Sequence, residues 1–303
     1  MKRVLASVLM VAFAFTVSAQ ELNVGTVNIR QSNKKDYVTK NGWDERKGYL
    51  CDLLNLEAFD LFGAQEVKKN QLDDMLDAMP DYDYIGVARD DGATKGEYSP
   101  VFYRKNDFKL LDSGTFWLSE TPNEVSKGWD GYCRRVCTWG YFQRKSDKMK
   151  FYFLCTHLDH RGAVAQVEGS KLIVNFIKEH CKGKKVVVVG DFNVKQGSDC
   201  YDIFADSGVL SDTYGLAKYH FEPTGTFNGF NPNRYTENRI DHIFVSKGSK
   251  VSRYGILAYH YYLNKKSELQ EMDTAAPKDI RGEYREVKCI SDHYFVQSFV
   301  TLK

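Results

Sequence analysis

"KKVVVVGDFN" (184–193) is the stretch on which the fold turns. Val186, Val187, Val188 and Val189 form an unbroken β-branched run, apolar on both faces of an extended strand. A run of that kind belongs to a strand covered on both sides. Gly190 lets the backbone turn, and Asp191 and Asn193, two residues apart, can project the same way from the strand end. A carboxylate beside an amide suits a phosphate oxygen, a nucleophilic water or a hard cation. An Asx-rich turn closing a strand is the plainer alternative.

Working outward, the pattern alternates. Before the valine run, Leu172, Ile173, Phe176 and Ile177 give one apolar helical face within 163–181. Earlier, "LNVGTVNI" (22–29), "DLFGAQE" (60–66), "SPVFYRK" (99–105), "RRVCTWGYF" (134–142) and "KFYFLCTHL" (150–158) read as strands. Residues 43–57 and 67–79 read as helices, and further strands follow at 240–245, about 251–262, and 293–300. This order mixes α/β units with antiparallel hairpins. Two sheets packed face to face, with helices outside, would cover every strand.

The acids, amides and histidines fall where apolar runs stop. Asn28 ends the first strand, Glu66 the second and His157 another, while Asp191 and Asn193 follow the valines. Strand ends share one rim of a sheet, where ligand sites form. Glu66 also reads as a helix cap, and a lone histidine such as His157 is more often structural than catalytic. Hard cations such as Mg2+ need only one or two carboxylates, and Glu66 with Asp292 would suffice. Two near-copies of one phrase, "RIDHIFV" (239–245) and "ISDHYFV" (290–296), each carry Asp-His. Alternation puts Asp241 and His242 on opposite faces, whereas Asp292 and His293 sit at a strand start where a turn can present both.

Composition sets outer limits. The chain has 303 residues, 43% apolar and 27% charged, enough for a sizeable core without disulfides. A net charge of +2 gives no support to nucleic-acid binding and does not exclude it. "MKRVLASVLMVAFAFTVSAQ" has the basic start, short apolar stretch and small-residue site of a secretory signal peptide, with cleavage expected after Ala19. The expected organisation is a leader at 1–19 and one domain over 20–303, exported to the periplasm or beyond, with no membrane span after cleavage. The seven cysteines include no Cys-x-x-Cys pair, so a zinc site is a poor reading, although export would permit some disulfides.

Taken together and in order, "VNIR", "QEV", "GEYSPVFYRK", "RRVCTWGYF", "THLDH", "GDFN", "RIDHIFV" and "SDH" resemble the endonuclease/exonuclease/phosphatase superfamily, to which deoxyribonuclease I belongs. "GTFWLSETP", "GWD", "CTWG" and "THLDHRG" look closer to a bacterial branch of metal-dependent hydrolases. The resemblance implies a four-layer α/β sandwich, two packed mixed β-sheets flanked by helices, with the site at one rim. It implies Mg2+ as cofactor, Mn2+ being the alternative, held by Glu66 with Asn28 and Asp292. It gives His157 a phosphate contact and protonation of the leaving group, Glu97 a pairing role with that histidine, and Arg135 a phosphate-binding role. Asp191 and Asn193 position the nucleophile or the scissile phosphate. His293 acts as base or transition-state stabiliser, with Asp241 orienting it and His242 left structural. The two Asp-His phrases thus become two halves of one site. The chain departs from the family where "VKQGSD" follows "GDFN" without the usual proline, and where Phe295 replaces a proline.

The expected activity is hydrolysis of a phosphodiester or phosphomonoester, with a small molecule or lipid head group favoured as substrate. A deoxyribonuclease I-like endonuclease is the alternative; it is disfavoured because no long basic stripe exists to track phosphates. A non-catalytic binding module is a third reading, against which the intact polar set argues. The aromatic "YGILAYHYYL" (254–263) reads as a core strand first and a pocket lining second, within a segment 255–288 expected to form a strand and a long loop.

Overall fold

The computed structural model describes residues 20–266 and 285–303. The expected leader at 1–19, and residues 267–284 of the expected long loop, lie outside the described residues.

Two large sheets dominate. The first runs, from edge to edge, β10 (Ala217–Phe221), β12 (Lys250–Leu257), β15 (Phe295–Thr301), β1 (Leu22–Asn28), β2 (Leu61–Gln65), β4 (Val101–Arg104) and β3 (Tyr82–Ile85). The second runs β5 (Phe108–Trp117), β6 (Val136–Arg144), β7 (Lys150–His157), β8 (Lys185–Asp191), β11 (Asp241–Ser246) and β9 (Leu210–Asp212). Both are mixed: β1 pairs parallel with β2 and β7 parallel with β8, while the pairs β1–β15, β6–β7 and β8–β11 are antiparallel. The four-layer α/β sandwich is the architecture observed.

The valine run explains the layering. Val187 and Val189 point into the core between the sheets, with Val24, Leu61, Phe153 and Ile243. Val186 and Val188 point the other way, into a cluster with Ile173, Val174 and Ile177 of α4 (Ala163–His180) and Phe204 of α5 (Asp199–Ala205). On the far side, α2 (Trp43–Glu57) and α3 (Lys69–Ala78) cover the first sheet through Leu50, Leu54, Leu72 and Met75 against Phe62 and Phe102. The sheets approach closely at Gly63 of β2, where an added Cβ would lie 2.6 Å from Cys155 Sγ and press on Val189.

Some elements differ from the sequence reading. The expected single strand over about 251–262 is broken: β12 stops at Leu257, and β13 (His260–Lys266) leaves the sheet to pair with β14 (Arg285–Cys289). The aromatic stretch is split accordingly. Tyr254 and Ile256 enter the core, Tyr261 packs on the other cluster, and Tyr259 and Tyr262 are exposed. The edge strand β5 carries Asp112, Ser113 and Gly114 mid-strand and is largely exposed, so it lacks the apolar signal that marks the others. All seven cysteines are free thiols.

Candidate active site

The central parallel pairs end at one rim. In the first sheet Asn28 lies opposite Gln65, with Glu66 next along the chain; in the second His157 lies opposite Asp191. Three of these four strand ends, those of β1, β2 and β8, are then turned sharply by a non-glycine residue in the left-handed region: Arg30 at φ 58°, Glu66 at 63° and Asn193 at 51°. Such backbone strain clusters at functional sites, and here it aims side chains across the rim.

Asp191 is the hub. Its Oδ2 accepts from Asn28 Nδ2 at 2.9 Å and lies 3.4 Å from His157 Nε2 and 3.7 Å from His293 Nε2. Its Oδ1 accepts the Asn193 backbone N–H at 2.9 Å. The other ring nitrogen of His293, Nδ1, pairs with Asp241 Oδ2 at 2.9 Å. The crossed pair read from the two phrases is therefore formed. His242 points away, bonding the Val194 carbonyl at 3.1 Å and packing against Phe192 and Tyr201.

Electrostatics separate the two histidines. Burial alone would push His293 down, but Asp241 and Asp191 hold its ring well above the ordinary histidine range. His157 is pushed well below that range by burial and by the nearby charges of Arg135 and Arg89. Asp191 is raised to about 7 by burial and by repulsion from Asp241.

The expected metal ligands form a second group. Glu66 Oε1 accepts from Asn28 Nδ2 at 3.2 Å, and its Oε2 accepts the Gln31 N–H at 3.1 Å. Asp292 is raised by burial and, to a lesser degree, by repulsion from Glu66. Arg30 reaches toward both, 3.4 Å from Asp292 and 4.0 Å from Glu66. Two mutually repelling carboxylates are the core of a hard-cation donor set and fit a divalent ion; the Asn28 amide beside them turns its nitrogen to Glu66, while its oxygen accepts the Arg30 N–H at 3.0 Å. Asp191, Asp241 and His293 also converge, their ligand-type atoms all within 4.8 Å of one another, but those atoms are engaged with each other.

Glu66, Glu97, Arg135, His157, Asp191, Asn193, Asp292 and His293 all line one cavity of about 410 Å³, while Asn28 and Asp241 stand just behind it. One expected pairing is corrected. Glu97 binds Arg89 Nη1 at 2.6 Å, not His157, because the guanidinium is the stronger partner for a buried carboxylate. The Asn193 amide gives Nδ2 to the Leu158 carbonyl, tying the loop after β8 to the loop after β7.

Sequence reasoning missed other lining residues: Arg30, Gln31, Arg89, Tyr132, Cys133, His160 and Phe227. Arg30 and His160 lay inside quoted motifs, and Arg89 sits in "ARDDG" (88–92), a charged turn just ahead of Glu97. Phe227 had no local signal. It reaches the site because its loop pairs with His293 as an isolated bridge, while the Asn228 and Gly229 N–H groups bond the Asp292 carbonyl. No residue of "YGILAYHYYL" lines this cavity, so the pocket reading of that stretch does not hold for the site.

A two-sheet α/β sandwich with acids, amides and paired histidines on one rim defines a phosphoester hydrolase of the deoxyribonuclease I-like class. The sequence pattern of the Endonuclease/Exonuclease/phosphatase family matches residues 25–293, and the chain belongs to that family. Its members are hydrolases acting on phosphoesters and generally use a divalent metal. A solved family protein from Bacteroides thetaiotaomicron is 41% identical, with a TM-score of 0.85, covering 93% of this chain and 98% of that one. A mannosyl-6-phosphatase from the same organism is 41% identical with a TM-score of 0.84, covering 92% of this chain and 99% of its own. A Bacteroides vulgatus family protein is 34% identical, with a TM-score of 0.79, covering 94% and 100%.

Proposed function

We propose that the chain is an exported, Mg2+-dependent phosphatase of a small, hydroxyl-rich phosphate ester, a sugar 6-phosphate being the first candidate. The observation that carries this reading is the convergence of Asn28, His157 and His293 on Asp191 inside a cavity of about 410 Å³. That volume is of small-molecule size. The likeness to a mannosyl-6-phosphatase at 41% identity supports a sugar substrate. The basic, apolar and small-residue pattern of residues 1–19 supports export.

Glu66, Asp292 and Asn28 would hold the divalent ion, which when bound offsets the charge of the phosphoryl oxygens. The chain's own groups supply the proton transfers. Water attacks phosphorus while Asp191 removes its proton, with Asn193 fixing the Asp191 carboxylate through its N–H. His293, held by Asp241, presents a cation to the phosphoryl oxygens. The bond to the leaving oxygen breaks, and that oxygen takes a proton from His157. Burial, then the charges of Arg135 and Arg89, hold this ring low in the free site; an arriving phosphate offsets the arginine charges and so favours the protonated ring. The proton on Asp191 then resets His157 across 3.4 Å. The products are inorganic phosphate and an alcohol.

The test is a substrate panel with Mg2+: mannose 6-phosphate and other sugar phosphates, bis-p-nitrophenyl phosphate, a phospholipid and supercoiled plasmid. Release of phosphate from a sugar phosphate, with the plasmid left intact, supports the reading. Plasmid nicking without sugar-phosphate turnover would favour the endonuclease instead. Amino-terminal sequencing of the protein recovered outside the cytoplasm is expected to begin at Gln20; an intact Met1 start there would argue against cleavage.

A further inference from the structure

One wall of the cavity carries guanidinium donors that the described residues leave without acceptors. Arg135, only 6% exposed, gives Nη2 to His160 Nδ1 at 3.1 Å. Its Nε lies 3.8 Å from the Asp159 carboxylate, and among the described residues neither Nε nor Nη1 has a hydrogen-bond partner. Asp159 is already occupied, accepting the N–H groups of Tyr132, Cys133, Arg161 and Gly162. Arg89 gives Nη1 to Glu97, and its Nε is likewise buried without a hydrogen-bond partner among the described residues. Both arginines line the cavity. They are close enough that Arg89, after burial, holds the Arg135 guanidinium below its ordinary range. Buried donors left without acceptors are costly, and two neighbouring cations repel. An anion with several oxygens relieves both costs at once.

We propose that Arg89 and Arg135 clamp the non-bridging oxygens of a phosphomonoester dianion, which makes Arg89 a specificity-determining residue that favours monoesters over diesters. The proposal rests on the phosphatase reading above and names the feature that selects its substrate class. A monoester carries about two negative charges above its second pKa of about 6, and it offers three non-bridging oxygens. A diester offers two oxygens and one charge. Its second organic arm would stand where one guanidinium needs an acceptor, leaving a buried donor unpaired, and sites of that kind discriminate strongly. Guanidinium forks match phosphate geometry, which an ammonium group does not.

The probe is inorganic phosphate, with dimethyl phosphate as the diester control, both titrated calorimetrically against the protein in EDTA. The wild type is expected to bind phosphate more tightly than dimethyl phosphate. Arg89→Gln leaves Glu97 buried and unpaired and can fail to fold, so it is paired with Arg89→Gln/Glu97→Gln, which neutralises both partners. The folded double variant is expected to bind phosphate at least ~10-fold more weakly, the loss typical of one charge-assisted bond, and dimethyl phosphate within about threefold of wild type. Arg89→Lys is expected to fall between. In turnover, the double variant is expected to lower the monoester-to-diester ratio of kcat/KM by at least ~10-fold. Unchanged phosphate binding in the double variant, or equal losses for both ligands, overturns the clamp. Arg89-dependent phosphate binding in a wild type that turns over no monoester would instead sink the phosphatase reading and leave the clamp standing.

Discussion

His293 gives one ring nitrogen to Asp241 at 2.9 Å and turns the other toward Asp191, whereas His242, in the matching phrase, is sealed among Phe192, Tyr201 and Phe244. Their substitutions should therefore separate activity from stability. His293→Ala is expected to cost at least ~10²-fold in kcat, the usual cost of removing one group that stabilises charge in the transition state. His242→Ala is expected to cost less than ~10-fold in kcat, while lowering the melting temperature through lost packing and an orphaned Val194 carbonyl. Kinetics alongside circular dichroism test this, and equal kinetic losses with both folds intact would refute the assignment. Much at this scale was legible because strand alternation alone put Asp241 and His242 on opposite faces. The partner of Glu97 was not legible: Arg89 lies eight residues away across a turn whose geometry no periodicity encodes.

Loops and strand contacts carry predictions of their own. Asp159 joins the loop after β7 to the segment before β6. Burial opposes its charge, yet four backbone N–H donors hold its carboxyl down at about 2. A depressed carboxyl contributes stability above its unfolded value of about 3.9, and that contribution is lost as pH falls toward 2. Asp159→Asn is expected to be less stable than wild type at pH 6, with the difference shrinking between about pH 4 and pH 2 in denaturant titrations. A constant difference across that range would remove the carboxylate's role. Gly63→Ala is expected to destabilise by about 1–3 kcal/mol, because Cys155 and Val189 of the facing sheet occupy the space of the added methyl. A neutral result in urea titration would show that the sheets can part at no cost. Strands buried on both faces announced themselves in the sequence. The exposed edge strand β5 did not, because an edge needs no apolar run. The break after Leu257 was hidden because Tyr254, Ile256 and Tyr261 are all apolar enough for one strand, while the sheet each joins is set by distant partners.

For the molecule as a whole, the strongest expectation concerns the metal. Chelation with EDTA is expected to abolish turnover, and Mg2+ to restore it, because Glu66 and Asp292 would hold a cation that offsets the charge of the phosphoryl oxygens. Full turnover in EDTA would sink the mechanism. The architecture was legible because strand ends carrying polar groups recurred along nearly the whole chain. Phe227 was not, since it reaches His293 only through a loop that crosses from one sheet to the other.

β15 sits between β12 and β1, and Asp292 and His293 immediately precede it. The second sheet is drawn from one span, 108–246, but the first is gapped down its middle until the final strand inserts. A hydrolase made from its amino end is therefore expected to stay inert until Asp292, His293 and β15 have been synthesised. Competence arrives with the entry of β15, and the pairing it makes with β1 joins segments far apart in the sequence, the kind of contact that forms slowly. In refolding, recovery of far-UV dichroism should accordingly run ahead of recovery of activity.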